Sequence, residues 1–487
     1  LLRLSIMAAL LLGGAMAPVF AADVKNLSVT VSSGTQANAY GGYTIEEGAS
    51  ALQNALTLSG PAKVLGASAG GWSRWGNAEW NTLTIRLDED GLLGPSDIVG
   101  GGVAESEGGG AAVHNTVYIE SGTVEGTVEG GVAVGINGVG DGTGDVLSNQ
   151  VTMSGGTVYS VFGGETGEGN ANDNVVTIKG SAAVTGKSNA VYGGYTIDGN
   201  ASGNIVNIED DADIHGEIMG GYTRAGSLIS GNKVNVTGGN VNENTVYGVY
   251  TAYGDVLDNQ AVIKGTGQAG SSDTNSVYAG FTNIGAAAGN ILYIQDSAEI
   301  AGSAFAGYQG GFISSETVER NQVFMSGGSV NGDLTGGGSN NGGETLNNYV
   351  EITGGTVSGN VYSGFTDSAD ALENTLTVAG GRVEGSLFGG YSNTGTANEN
   401  KLTFSAGTAG SDAYGGYAQE GADKNEAVLS GTSVLEGNAA GGSSARGEAS
   451  GNSLTIKENS EVKGDAAGGD VYMGTISKNI ITIQYNA

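Results

Sequence analysis

The chain repeats one short alternation of polar and apolar positions about sixteen times. Each copy begins with an asparagine, and the second and fourth residues after it are apolar, as in Asn374-Thr-Leu-Thr-Val378. Alternation with a period of two is typical of a strand that buries one face. The initial asparagines are spaced about 28 residues apart on average, and they are Asn54, Asn81, Asn115, Asn149, Asn174, Asn204, Asn232, Asn259, Asn290, Asn321, Asn348, Asn374, Asn400, Asn425, Asn452 and Asn479.

A second block in many copies places two aromatic residues around two small ones, as in Tyr192-Gly-Gly-Tyr195. Side chains alternate between the two faces of a strand, so this spacing predicts one aromatic column in the interior and one outside. An exposed column offers rings to sugars or to a partner surface. The predicted aromatic columns contain Tyr40, Tyr43, Tyr192, Tyr195, Tyr222, Tyr278, Phe281, Tyr362, Phe365, Phe388, Tyr391, Tyr414 and Tyr417.

Each repeat supplies only two or three short strands, joined by glycine-rich corners, and such a unit cannot bury its inner face alone. Stacked repeats solve this problem. The pattern therefore predicts an all-β fold, a right-handed parallel β-helix or β-solenoid of about 16 coils and roughly 70 Å length. The asparagines are expected to stack at one corner and to bond to each other, the alternative being asparagines in separate surface turns. A β-propeller is less suitable, because its blades usually have about 40–50 residues.

The first residues have the features of a secretory signal peptide. Arg3 precedes an apolar run over residues 4–12, and small residues lead to a predicted cleavage after Ala21. The sequence therefore divides into a signal peptide at 1–21, an N-terminal capping region with the first coil at 22–53, and a repetitive solenoid at 54–487. No later segment is long and apolar enough for a transmembrane helix.

Composition and charge narrow the choice of partners and cofactors. The 487 residues include 92 glycines, 3 prolines, no cysteine and two histidines, and the formal net charge is −32. This acidity argues against nucleic acid as a partner, because nucleic-acid binding requires Lys and Arg beside the phosphates. Without cysteine there are no disulfides or thiolate metal ligands. We therefore predict neither a metal site nor a cofactor.

Two acidic runs are the strongest candidates for catalysis. Glu209-Asp210-Asp211 continues to Asp213 and His215, and Asp88-Glu89-Asp90 lies in a long interval between repeats. Clustered carboxylates are required in β-helical polysaccharide lyases and hydrolases. The first run aligns with the turn between two strands in other repeats, which favours a solvated corner, so we predict no catalytic residue.

The two longest intervals, Asn81 to Asn115 and Asn115 to Asn149, interrupt the regular spacing. Within them, residues 87–112 and 120–148 depart from the repeat. Since binding residues often lie on loops held by a rigid scaffold, these stretches are predicted to contain a recognition loop.

The block from Asn374 to Ser392, with its Asn-x-Leu-Thr-Val strand and Phe-Gly-Gly-Tyr-Ser ending, resembles the repeats of autotransporter passenger domains. The resemblance implies a secreted protein of a diderm bacterium, either associated with the cell surface and outer membrane or extracellular. It also implies a C-terminal translocator barrel. Nothing after Asn479 has the alternating strands of such a barrel. We therefore expect either a truncated chain, which reaches the outer membrane only through a barrel that it does not contain, or a different anchor.

We therefore expect a non-enzymatic adhesin or surface stalk. Its expected partners are host glycans, host surface proteins or neighbouring cells. A β-helical polysaccharide lyase or hydrolase and a purely structural spacer are the alternatives.

Overall fold

The computed structural model describes residues 23–95, 98–105, 109–135, 142–188, 190–242, 244–270, 277–311, 316–340 and 342–484. The predicted signal peptide lies outside these residues. Every regular element in the described part is a β-strand, and strands pair in parallel with their counterparts one repeat away. The fold is a β-solenoid of about 16 turns with a period of about 27 residues, which confirms the predicted fold class. At about 4.8 Å per turn, its length is about 75 Å.

One complete turn contains four strands. After Asn204 these are the anchor strand Ile205–Ile208, the second strand Asp213–Ile214, the aromatic strand Ile218–Thr223 and the fourth strand Leu228–Ser230. Each strand pairs in register with the same strand of the next turn, so that Val206 lies beside Val234. Stacking therefore satisfies the backbone groups that one isolated turn would leave unpaired.

The strands of the other turns fall into the same four classes. Further anchor strands are Ser28–Val31, Ala55–Gly60, Thr82–Leu87, Thr116–Ser121, Gln150–Met153, Val175–Ile178, Lys233–Val236, Gln260–Ile263, Ile291–Ile294, Gln322–Met325, Tyr349–Ile352, Ser453–Lys457 and Ile480–Gln484. Further second strands are Thr35–Gln36, Lys63–Val64, Leu92–Leu93, Ala183–Val184, Asn240–Asn242, Gln268–Gly270, Glu299–Ile300, Ser329–Val330, Thr356–Val357 and Glu461–Val462.

Further aromatic strands are Ala39–Thr44, Ser68–Ser73, Val99–Glu105, Val191–Thr196, Val246–Tyr253, Val277–Ile284, Ala304–Gln309, Leu334–Ser339, Val361–Thr366, Leu387–Ser392, Ala413–Ala418, Ala439–Ser444 and Ala466–Val471. Further fourth strands are Val24–Lys25, Ala51–Leu52, Ala78–Glu79, Ala112–Val113, Val146–Leu147, Ala171–Asn172, Asp255–Leu257, Ala287–Ala288, Val318–Glu319, Thr345–Leu346, Ala371–Leu372, Ala397–Asn398, Glu448–Ser450 and Thr475–Ser477.

In five turns, two neighbouring strands continue without a break. The second and aromatic strands join in Thr123–Val134 and Thr157–Glu165. The anchor and second strands join in Thr375–Val383, Lys401–Ala409 and Glu426–Leu435.

The core is a narrow apolar cylinder along the solenoid axis. Val206 and Ile208 of the anchor strand face inward beside Ile214 and Ile218, and all four side chains are buried. Equivalent residues in the other turns extend this cluster along most of the chain. Burial of one such side chain contributes about 1.5–3 kcal/mol before the cost of chain entropy. The alternating pattern is therefore what determines which face of each strand is buried.

The two long intervals contain mostly regular strands. Val99–Glu105 and much of Thr123–Val134 pair with their neighbours as in the other turns. Residues 106–108 and 136–141, within these two intervals, lie outside the described residues. Most of the described part of both stretches therefore continues the solenoid, and a recognition loop within them stays a prediction.

Candidate functional site

The sixteen repeat asparagines lie in one internal column, which we call the asparagine ladder. Asn204 donates from its backbone N–H and from Nδ2 to Oδ1 of Asn232, both over 3.0 Å. Nδ2 also donates to the carbonyl oxygen of Ala171 over 2.8 Å. The same three donations recur from Asn54 to Asn452, and nearly all of these side chains are fully buried. The ladder satisfies polar groups at a tight corner and fixes the register of successive turns.

Two consecutive glycines of the aromatic strand pack against this ladder. A Cβ atom on Gly193 would come within 2.9 Å of Cβ of Asn204, and one on Gly194 would meet the Asn204 amide. Both positions therefore face inward, and a side chain at either would collide with the next turn or with the ladder. The strand bends at these glycines instead of continuing a regular alternation.

Because of this bend, both aromatic residues of a block point away from the central apolar core. The rings of Tyr192 and Tyr195 lie 5.5 Å apart and nearly perpendicular, and they belong to a cluster separate from the apolar core. Val191, immediately before them, is part of that core. The first column is nevertheless buried, with Tyr192 only 1% exposed, whereas Tyr195 of the second column is half-buried. Neighbouring rings, and not the central core, cover the first column, because two successive inward positions change the parity of the strand.

The longest aromatic surface covers the turns from Phe162 to Tyr308, and we call it the aromatic face. Its first column is Phe162, Tyr192, Met219, Tyr247, Tyr278 and Phe305, and its second column is Tyr195, Tyr222, Tyr250, Phe281 and Tyr308. A second surface comprises Tyr362, Phe365, Phe388, Tyr391, Tyr414 and Tyr417. Tyr40 and Tyr43 form a third group with Trp72.

Sequence reasoning missed several members of the aromatic face. Ala-Gly lies between Phe305 and Tyr308, which fits the motif of two small residues and was overlooked. Gly-Val lies between Tyr247 and Tyr250, and its β-branched residue does not fit that motif. A pattern of two aromatic residues separated by any two small or β-branched residues would have found them.

The rings of the second column cover one another. Tyr222 lies 4.9 Å from Tyr195 and 5.7 Å from Tyr250, with interplanar angles of 6° and 3°. The ring faces are therefore occupied, and ring edges and hydroxyl groups remain at the surface. Burial raises the pKa of Tyr195 to about 12, so its hydroxyl remains neutral near pH 7. This surface suits edge contacts and hydrogen bonds better than stacking of sugar rings.

Two glutamates replace aromatic residues at one end of the aromatic face. Glu129 pairs in register with Phe162 of the next turn. Glu165 lies in the same turn as Phe162 and pairs in register with Tyr195 of the following turn. The two carboxyl groups share a hydrogen bond. Burial raises the pKa of Glu165 to about 7, although the bond to Glu129 partly opposes this shift. Hydrogen-bonded carboxyls are closer than the roughly 5–9.5 Å separation in glycosidases, so the pair lacks that catalytic geometry.

The acidic runs singled out from the sequence lie apart. Asp210 and Asp88 both follow an anchor strand and occupy the same corner, four turns or about 19 Å from each other. Asp213 and His215 form a 2.9 Å contact, with both side chains almost half exposed. The structure therefore places the two runs on the solvated outside of the solenoid in turns that are far apart.

Among the described residues, no three acidic or histidine side chains converge as a metal site would require. No helix in the described part has the length and apolar character needed to cross a membrane. Comparison of the chain with protein-family models, curated proteins and solved structures gives no match.

Proposed function

We propose that the mature protein is a non-enzymatic, secreted β-solenoid that acts at a bacterial surface as an adhesin or stalk. The single observation that supports an adhesive role most directly is the continuity of the aromatic face over six successive turns. Tyrosine and phenylalanine are enriched in the central parts of protein interfaces. The secreted location rests on the predicted signal peptide and on the resemblance to autotransporter passengers.

The architecture suits a stalk because the solenoid is long and each of its turns is bonded to the next. The asparagine ladder and the continuous core join each turn to the next, so the solenoid projects a fixed surface over about 75 Å. The second column of the aromatic face presents ring edges and neutral hydroxyl groups over five of these turns. A host surface protein or a protein on a neighbouring cell is the partner that this surface fits best. The net charge of −32 favours a partner with basic residues around its contact patch.

The proposal is tested by measuring adhesion with the purified, full mature chain. Fluorescently labelled protein is added to epithelial cells, matrix proteins and bacterial cells, and bound protein is measured by flow cytometry or on coated plates. The test variant replaces Tyr222, Tyr250 and Phe281 with serine. The control replaces Tyr118, Tyr159 and Tyr253, which lie outside the two aromatic columns and are 43–55% exposed, with serine.

We expect at least tenfold weaker adhesion for the aromatic-face variant and unchanged adhesion for the control. Melting curves establish that both variants remain folded. Failure of the native chain to bind any of these surfaces would reject the adhesive role. Equal binding by both variants would reject the aromatic face as the adhesive surface.

A further inference from the structure

A separate groove lies on the outer side of the anchor strands. This side carries mainly small polar residues, but Tyr293 and Phe324 occupy the same position in two successive turns, and Glu351 follows in the third. The groove has a volume of about 230 Å³. Its main lining residues are Tyr293, Gln295, Phe324, Ser326, Glu351 and Thr353.

One side of the groove is a stack of two aromatic rings, and the stack stops at Phe324. The Tyr293 and Phe324 rings are stacked, with centroids 5.4 Å apart and an interplanar angle of 19°. The next turn places Glu351 where a third ring would continue the stack. Tyr349 lies beside this position, but its ring is tilted by 54° relative to Phe324. The face of Phe324 opposite Tyr293 is therefore not covered by a parallel ring, unlike the interior ring faces of the aromatic face.

The other side of the groove is polar and mostly neutral. Gln295, Ser326 and Thr353 follow the aromatic column by two residues, so they form the adjacent outward column. They supply one amide and two hydroxyl groups, and Glu351 adds one carboxylate. A ligand for this groove requires an apolar face for Phe324 and several hydroxyl groups for the polar column.

We propose that this groove binds a single neutral pyranose unit. The C–H face of the sugar packs on the Phe324 ring, and its hydroxyl groups donate to the Glu351 carboxylate and exchange hydrogen bonds with Ser326 and Thr353. The volume is smaller than the roughly 300–1,000 Å³ of drug-sized ligand sites, which suits one sugar ring. This site lies on different strands from the aromatic face and does not depend on the proposed adhesive contact.

Saturation-transfer NMR with the purified chain tests the site. The probes are the methyl glycosides of glucose, galactose and mannose, each at about 10 mM because a shallow groove implies weak binding. Phe324→Leu removes the ring but retains an apolar side chain, and Glu351→Gln removes the charge but retains the shape. Tyr118→Leu is the matched control, since Tyr118 occupies the same strand position between Thr84 and Thr152.

We expect saturation transfer to at least one glycoside, a reduction of at least fivefold in both groove variants, and no change in the control. Absence of transfer from the folded native chain to all three glycosides would overturn the proposal. So would equal signals in the native chain and both groove variants. Preferential binding of tetramethylammonium, lost in Glu351→Gln, would instead identify a cation site and also overturn it. The aromatic-face variant should retain the glycoside signal, which separates this result from the adhesion test.

Discussion

Replacement of one ladder asparagine should destabilise the solenoid far more than replacement of an outward asparagine in the same turn. In Asn232→Ala, the lost Oδ1 leaves the backbone N–H and the side-chain amide of Asn204 without their 3.0 Å acceptor. The lost Nδ2 also leaves the Ala201 carbonyl without its 2.7 Å donor. All of these interactions are buried.

The magnitude follows from the number of buried groups left unpaired. Each such group costs about 1–3 kcal/mol, and at least the two Asn204 N–H groups lose their only acceptor in the ladder. The free energy of unfolding should therefore fall by about 2–6 kcal/mol. Asn235→Ala is the control, because Asn235 is half-buried and its side chain makes one 2.8 Å bond to Asn207. The control should lose less than about 1 kcal/mol.

Urea unfolding followed by circular dichroism gives the change in stability for both variants. Hydrogen exchange resolved by mass spectrometry adds a local measurement, since a solenoid is coupled mainly between neighbouring turns. Protection should fall most in Ile205–Ile208 and Lys233–Val236, on either side of the altered position. A loss of stability in Asn232→Ala no larger than in Asn235→Ala would refute the argument that the ladder stabilises the stack.

Three further predictions concern single positions. The pKa of Glu165 rises from 4.5 in the unfolded chain to about 7 in the folded one, so its stabilising contribution should be full below pH 4.5 and fall as the pH rises to 7. Urea unfolding should therefore show that Glu165→Gln gains up to about 3 kcal/mol of stability relative to the native chain between pH 4 and pH 8. A difference between the two chains that does not change with pH would contradict this prediction. Glu373 has a left-handed φ of 55°, so Glu373→Gly should raise the melting temperature and stabilise by about 1 kcal/mol, whereas Glu373→Ala should not. A Cβ on Gly390 would collide with Asn400, so Gly390→Ala should lose about 1–3 kcal/mol in urea unfolding, whereas Gly94→Ala should have little effect.

The alternation after each asparagine was sufficient to predict the class of fold. Leu376 and Val378 are buried and alternate with Thr375 and Thr377, and a strand has only two faces, so local pattern and burial are directly linked. The repeat length then required stacking, because one turn alone cannot cover its inner face. For these reasons the β-solenoid could be recognised from sequence.

The positions of the aromatic columns were decided by tertiary contacts. Strand parity predicts that Tyr192 and Tyr195 face opposite ways, but Gly193 and Gly194 both face inward because the ladder at Asn204 leaves no space for side chains there. This contact joins residues about ten positions apart and changes the parity that a local pattern assumes. Both rings consequently lie outside the central core, where residues of neighbouring turns cover Tyr192 almost completely and leave Tyr195 half-buried.

The acidic pair and the groove also depend on contacts between turns. Glu129 and Glu165 are far apart in sequence, and only the register of adjacent turns brings their carboxyl groups together. Phe324 likewise has no aromatic ring directly beneath it because the register places Glu351 there. Sequence by itself determined the repeat, the buried positions and the solenoid, since these follow from local alternation. The tertiary structure decided which side chains from different turns meet, because this depends on the register and on the space left beside the asparagine ladder.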